Sequence, residues 1–234
     1  MTQTTIVIRS CNTDMTSYRG FKWPKRGRVE APDWNPEPVC VGGLHGLRPG
    51  DNEPGQWYDY DKYLALRVVT ADIVDLNGKC KFPAATVLHV ADNMANLSAW
   101  LQARGETGPW YRGTATAGYG GTAAAGYRGT ASVGSYGTAT AGSYGTASAG
   151  YRGTASVGSY GTALAGESGT ASAGRYGTAT AGYLGTASAG YGGIIQIRWS
   201  DGTRYRIATA YVGENGIKAN VLYRLDNRGQ FVED

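Results

Sequence analysis

The sequence predicts a mainly β protein: a parallel β-solenoid of about five sixteen-residue coils, set between a small N-terminal α+β domain and a C-terminal antiparallel β cap. Three observations predict it. An eight-residue pattern recurs ten times without insertion between residues 113 and 193. Within each copy Thr and Ala alternate, as side chains alternate across the two faces of a strand. Glycine makes up 37 of 234 residues, about twice its usual share, and falls at fixed places in the pattern.

The pattern reads G-T-A-x-A/V-G-x-x. Thr stands at every eighth position from Thr114 to Thr186, and Ala follows it each time, from Ala115 to Ala187. The residue two further on is Ala, or Val at Val133 and Val157, and Gly closes each block from Gly118 to Gly190. Low-complexity disorder does not require such a register, whereas stacked units do. Thr favours strands and Gly does not. The GTAxA block is therefore expected as strand and the Gly-x-x-Gly between blocks as a tight turn, with glycine supplying the unusual backbone angles. Each turn reverses the chain, so two octads make one coil, and five coils at ~4.8 Å form a stack about 24 Å long.

The small, constant Ala and Val positions are expected to face inward and the Thr-x-Thr positions outward. Methyl groups make a thin core, weak at ~25 cal/mol per Å² of buried apolar surface. The backbone ladder and the ends must then contribute much of the order. One outer face carries Thr114/Thr116, Thr130/Ser132, Thr146/Ser148, Thr162/Leu164 and Thr178/Thr180. The other carries Thr122/Ala124, Thr138/Thr140, Thr154/Ser156, Thr170/Ser172 and Thr186/Ser188. These hydroxyl columns are the candidate binding surface. The turns alternate in the same way. One edge gathers Tyr127, Tyr144, Tyr160, Tyr176 and Tyr191 without a break, and the other has Tyr119, Tyr136, Tyr151 and Tyr183, interrupted at Glu167-Ser168. The unbroken edge is expected to stack internally and to offer a homodimer contact.

The octad GYxGTATA resembles the AGYGSTxT octads of bacterial ice-nucleation proteins, over residues 113–193. The resemblance implies sixteen-residue coils from paired octads, Thr-x-Thr columns that order water or ice on a face, and Tyr ladders that mediate pairing. Thr114/Thr116, Thr138/Thr140 and Thr178/Thr180 match the Thr-x-Thr element fully. Ser often replaces the second Thr, and Ala124 and Leu164 interrupt it. The family's Ser-x-Leu alternation is missing, and about five coils stand where that family has dozens. The resemblance therefore implies ice binding more than efficient nucleation by one chain.

Residues 1–108 have a different composition. Thr4–Ser10, Tyr63–Thr70 and Thr86–Val90 read as strands, and Asp72–Leu76 as a short strand before an Asn77-Gly78 turn. Tyr18–Pro38, rich in Pro, Trp and charge, reads as irregular loop. Asp92 is expected to cap a helix over Met94–Arg104, stopped by Gly105. Residues 109–193 are the solenoid. In 194–234, Ile195, Ile197 and Trp199 alternate with polar residues, Ser200-Asp201-Gly202 turns the chain, and Tyr205–Tyr211 returns it. Val221–Leu225 and a turn at Asn227-Arg228-Gly229 complete the cap, which covers an edge that would otherwise stack end to end.

The net charge of +4 is modest and evenly spread, with 12 basic and 12 acidic groups in residues 1–108. Nucleic acid is therefore not an expected partner, although Phe21 and Trp23 interleave the Arg19–Arg28 basic run as single-strand binders do. Cys11, Cys40 and Cys80 are too few for a disulfide framework and are expected as reduced thiols. The leader MTQTTIVIRS lacks the basic-then-apolar pattern of a signal peptide, and no run is apolar enough to span a membrane. A cytoplasmic location is expected, with non-classical export left open. Cys40, His45, Cys80 and His89 are zinc-ligand types without zinc-ligand spacing, so no metal or cofactor is expected. Leu44-His45-Gly46 bears a faint likeness to the His-Gly of ADP-ribosyltransferase-like sites, which makes His45 and Arg9 the weak catalytic candidates. An N-terminal enzyme or effector domain on a rigid spacer is thus the second reading, and a small-ligand sequestering module using the Tyr and Arg edges the third.

Overall fold

A computed structural model describes residues 2–51, 61–106 and 108–234. The chain forms two compact units, Met1–Gly113 and Thr114–Asp234. In the first, β1 (Thr4–Cys11), β2 (Gly27–Glu30), β3 (Leu44–Gly46), β4 (Lys62–Val69), β5 (Val74–Asp75), β6 (Cys80–Phe82) and β7 (Ala84–Ala91) precede one helix, α1 (Met94–Gln102). A four-stranded sheet has the order β1-β4-β7-β2 and a three-stranded sheet the order β3-β6-β5. Val7, Leu64, Leu66, Val68, Phe82 and Val87 are buried in its core, as the apolar runs of these strands require. The Cys11 and Cys80 thiols lie in this core, and burial pushes them up to about 11 and about 12. Cys40 is exposed.

Two expectations for this unit are corrected. The Tyr18–Pro38 stretch is not wholly irregular: Gly27–Glu30 pairs antiparallel with β7, Val29 opposite Ala85. The helix cap is Asn93, whose side chain accepts from the Asn96 N–H at 2.8 Å, while Asp92 pairs with Lys62. Both residue types cap well; the ion pair draws Asp92 away. The Asn77-Gly78 turn stands as expected, with φ of 59° and 116° and a bond from Leu76 N–H to Lys79 O of 2.9 Å, the geometry of a two-residue hairpin.

The second unit is the solenoid. Its ten four-residue strands, β8–β17, start at Thr114, Thr122, Thr130, Thr138, Thr146, Thr154, Thr162, Thr170, Thr178 and Thr186 and end with Thr186–Ala189. Parallel pairing places each strand sixteen residues from its neighbour, Thr on Thr and Ala on Ala: Thr130 against Thr146, Ala131 against Ala147. Even-numbered strands form one sheet and odd-numbered strands the other. The sheets face each other across their alanines, and the leading Ala of each octad from Ala131 to Ala187 has no exposed surface. Each methyl contributes only ~0.8 kcal/mol.

The ladder does not stop at the corners. In most turns the last Gly N–H donates to the first Gly carbonyl, as from Gly145 to Gly142 at 3.1 Å. The N–H of the third turn residue donates along the stack to the second turn residue of the next coil: Tyr144 to Ser159 O at 2.8 Å, Tyr160 to Arg175 O at 2.8 Å. That third residue is left-handed, with φ between 51° and 61° at Arg128, Tyr136, Tyr144, Arg152, Tyr160, Ser168, Tyr176 and Leu184, as a type II turn demands of its third position.

This corrects the role assigned to glycine. The repeated flanking glycines do not supply the unusual angle; Tyr, Arg, Ser and Leu do. The glycines are there because coils pack closely. A Cβ on Gly142 would lie 2.7 Å from Tyr127 N, and one on Gly182 2.6 Å from Glu167 N and from Gly166 C.

β18 (Ile194–Ser200), β19 (Tyr205–Tyr211), β20 (Tyr223–Leu225) and β21 (Phe231–Glu233) form the cap. β18 is itself an eleventh rung, parallel to β16, with Ile195 and Ile197 in the two Ala positions and buried. β19 then pairs antiparallel with β18, β20 with β17, and β21 with β20. Larger side chains replace methyls where the stack ends, and Val212, Ile217 and Tyr223 join the same core. Among the described residues no helix is long and apolar enough to cross a membrane.

Candidate functional site

The outward positions of each octad are polar because the alternation that buries two alanines leaves the other two side chains on the outer face. Thr114, Thr116, Thr122, Thr130, Thr138 and Thr140 are exposed; Thr146, Thr154, Thr162, Thr170, Thr178, Thr180 and Thr186 are half-buried by their neighbours. The structure thus brings every threonine singled out by the repeat into one of two in-register arrays. On the odd-strand face four successive rungs each carry two hydroxyls, from Thr138/Thr140 to Thr186/Ser188. On the even-strand face Leu164, 39% exposed, divides the array.

Toward the cap the hydroxyls bond along their columns. Thr170 Oγ1 lies 3.2 Å from Thr186 Oγ1, and Ser188 donates to Ser172 at 3.1 Å. A hydroxyl has one donor and two acceptor sites, so the partly exposed Thr170, Ser172 and Thr186 keep sites for water after bonding along the column, while Ser188 is buried beneath its neighbours. Sequence reasoning missed the continuation of the even-strand column. Thr180 donates to Gln196 Oε1 at 3.1 Å, and Thr209 stands opposite Gln196 on the next rung. The octad register of Ile195-Gln196-Ile197 signals this, once Ile is accepted in the place of Ala.

The tyrosine edges are closely stacked. Tyr127, Tyr144, Tyr160, Tyr176 and Tyr191 follow one another with ring centroids 5.5, 4.9, 5.2 and 5.9 Å apart. Tyr144 and Tyr160 are nearly parallel, and both are about half exposed. Arg128 lies over Tyr127 and Tyr144, and Arg175 over Tyr176 and Tyr191, at 5.0 to 5.7 Å. Guanidinium on an aromatic face is a cation–π contact. On the other edge Tyr119, Tyr136 and Tyr151 stack, and beyond the Glu167-Ser168 gap Tyr183 meets Tyr205 of β19.

In the N-terminal unit His45 sits on β3 and Arg9 on β1. The Arg9 guanidinium reaches the backbone carbonyl of His45 at 3.5 Å, not its ring. The ring's Nδ1 lies 3.1 Å from Gly43 O. Burial, and then the charge of Arg9, hold the imidazole below its usual pKa, so it is neutral near pH 7. His89 stacks on Trp100 instead of approaching the cysteines. Among the described residues no group of three or more His, Cys, Asp or Glu side chains is placed to hold a metal ion. Trp23 is buried and so is not displayed for base stacking, and the partly buried Phe21 packs edge-on against it.

No family model matches the chain, and no solved structure matches it. Curated proteins do. An ice nucleation protein of Pseudomonas syringae is 40% identical over 103 residues, 42% of this chain and 9% of that protein. One from Xanthomonas campestris pv. translucens is 38% identical over 96 residues, 39% of this chain and 6% of its own length. Ice nucleation protein InaU of Pantoea ananas is 28% identical over 105 residues, 43% of this chain and 10% of that protein. The chain spans a tenth or less of the length of these relatives. Its octapeptide repeats resemble those of bacterial ice nucleation proteins.

Proposed function

We propose that the solenoid is a non-enzymatic, water-ordering surface that binds ice, and that its unbroken tyrosine edge pairs two copies of the chain. The observation that carries the first part is the register of hydroxyls: four consecutive rungs of the odd-strand face repeat the same two-column pattern with no shift. Strands fixed by a ladder on every side hold these hydroxyls in place before water arrives. Little ordering entropy is then lost on binding, and each bridging water costs at most ~2 kcal/mol to immobilise. The named activity of the matched proteins agrees in kind. A stack about 24 Å long is a small template, which favours adsorption to crystals over efficient nucleation.

The expected result is shaped ice crystals and measurable thermal hysteresis with the whole chain, both lost in a Thr138→Leu/Thr154→Leu double variant whose circular dichroism is unchanged. Round, unshaped crystals with the unaltered protein would reject ice binding.

The pairing part rests on the half-exposed, parallel Tyr144 and Tyr160 at the middle of the column. Light scattering is expected to give twice the chain mass for the unaltered protein and a single-chain mass for Tyr144→Ser/Tyr160→Ser. A single-chain mass for both would dismiss the pairing and leave ice binding to stand on its own test.

A further inference from the structure

The N-terminal unit carries a cleft of about 570 Å³, within the size range of small-ligand sites. Three arginines line it, brought from distant parts of the sequence: Arg26 from the segment before β2, Arg67 from β4 and Arg104 from the turn after α1. One carboxylate, Glu106, accompanies them, so the lining is positive overall. Elsewhere in this unit Arg28 is matched by Glu30, and Arg48 by Asp51 and Asp75. Arg26 and Arg67 are exposed and, among the described residues, form no ion pair. Their charge is left for something that enters the cleft.

The cleft also presents flat groups. The His89 and Trp100 rings are parallel to within 4°, with centroids 4.7 Å apart. The Arg104 guanidinium carbon lies 3.8 Å from the Trp100 ring centroid, and the same group donates to the Trp100 carbonyl at 3.2 Å. Arg104 is thereby fixed before any ligand arrives. Burial, and then the charge of Arg104, hold His89 below its usual pKa, so near pH 7 its ring is a neutral plane. Guanidinium forks recognise phosphate in a bidentate way, and planes of His, Trp and Arg stack on nucleobases.

We propose that this cleft binds a mononucleotide, its phosphates against Arg26 and Arg67 and its base against the His89–Trp100–Arg104 stack. The site is independent of the solenoid faces, so it stands or falls separately from ice binding. The test is calorimetric titration of the full chain with ATP, inorganic pyrophosphate, adenosine and a single-stranded oligothymidylate, read beside tryptophan fluorescence. ATP is expected to bind and to perturb the fluorescence. Arg67→Ala and Arg26→Ala should each weaken it about tenfold or more, the scale of a lost charged hydrogen bond, and Arg67→Lys should fall between. Adenosine should bind far more weakly than ATP for want of phosphate, and pyrophosphate more weakly for want of a base. Both arginines are exposed, so their variants should unfold at the temperature of the parent. No heat with ATP, equal affinity for pyrophosphate and ATP, unchanged affinity in Arg67→Ala, or tighter binding of the oligothymidylate than of ATP would each overturn the proposal.

Discussion

Gly182→Ala is expected to destabilise the solenoid by about 3 kcal/mol or more, the upper range for overpacking a site that has no room to relax. The added methyl would meet Glu167 N, Gly166 C and Gly166 O at 2.6 to 2.7 Å. All three are backbone atoms of the preceding coil, so no rotamer change relieves the clash. Relief requires the coils to part, and parting lengthens the bond from Gly182 N–H to Ala165 O, now 3.0 Å. Two positions on, the opposite substitution should be harmless. Leu184 has φ of 59° and is 69% exposed. Leu184→Gly removes a left-handed strain of ~1 kcal/mol and little burial, against the extra backbone entropy of glycine. It is expected to be neutral or slightly stabilising. Urea unfolding followed by circular dichroism checks both; equal losses from the two variants would refute the close-packing role assigned to the flanking glycines.

Removing residues 194–234 is expected to turn a discrete protein into one that associates in proportion to its concentration. The deletion strips β18 from β16 and β20 from β17, leaving the N–H and C=O groups of two parallel rungs unpaired. It also uncovers the end of an alanine core that Ile195, Ile197, Ile217 and Tyr223 now close. A bare, flat, regular edge templates further strands. Light scattering against concentration reads the outcome, and a monodisperse truncated chain would show that the cap is not needed to stop growth.

The solenoid was legible because one short pattern carries its whole fold: alternation names the inner face, and the eight-residue period names the strand and turn that make half a coil. The reason for its glycines was not legible. Read locally, a Gly beside a turn suggests conformational freedom, whereas the clash that excludes a side chain at Gly142 comes from Tyr127 and Gly126 on the coil below. Contacts at that separation belong to the stack and not to the octad. The N-terminal unit was legible only where apolar runs were long, as in β1, β4 and β7. Leu44–Gly46 lies in a glycine-rich stretch and becomes a strand only because β6 pairs with it. Gly27–Glu30 is likewise recruited by β7.

The candidate site divides in the same manner. Its threonine and tyrosine columns follow from counting by eight. Gln196 and Thr209 were missed because isoleucine stands where alanine was expected, which hid the eleventh rung. Arg26, Arg67 and Arg104 share no spacing at all, and only the pairing of β4 and β2 on either side of β7, with α1 packed on β4 and β7, assembles them.

Pairing at an offset of sixteen constrains how such a gene can change length. Near-identical repeats invite unequal recombination, which gains or loses whole copies. Loss of two octads leaves every later strand in its own sheet, every tyrosine on its own edge, and the terminal isoleucines over the same neighbours. Loss of one sends everything downstream to the opposite side: the tyrosine file is cut and spliced to the other, and the terminal segment arrives on the wrong sheet. Heritable variation in length should therefore be tolerated in even numbers of repeats, with the odd steps removed by selection for folding alone.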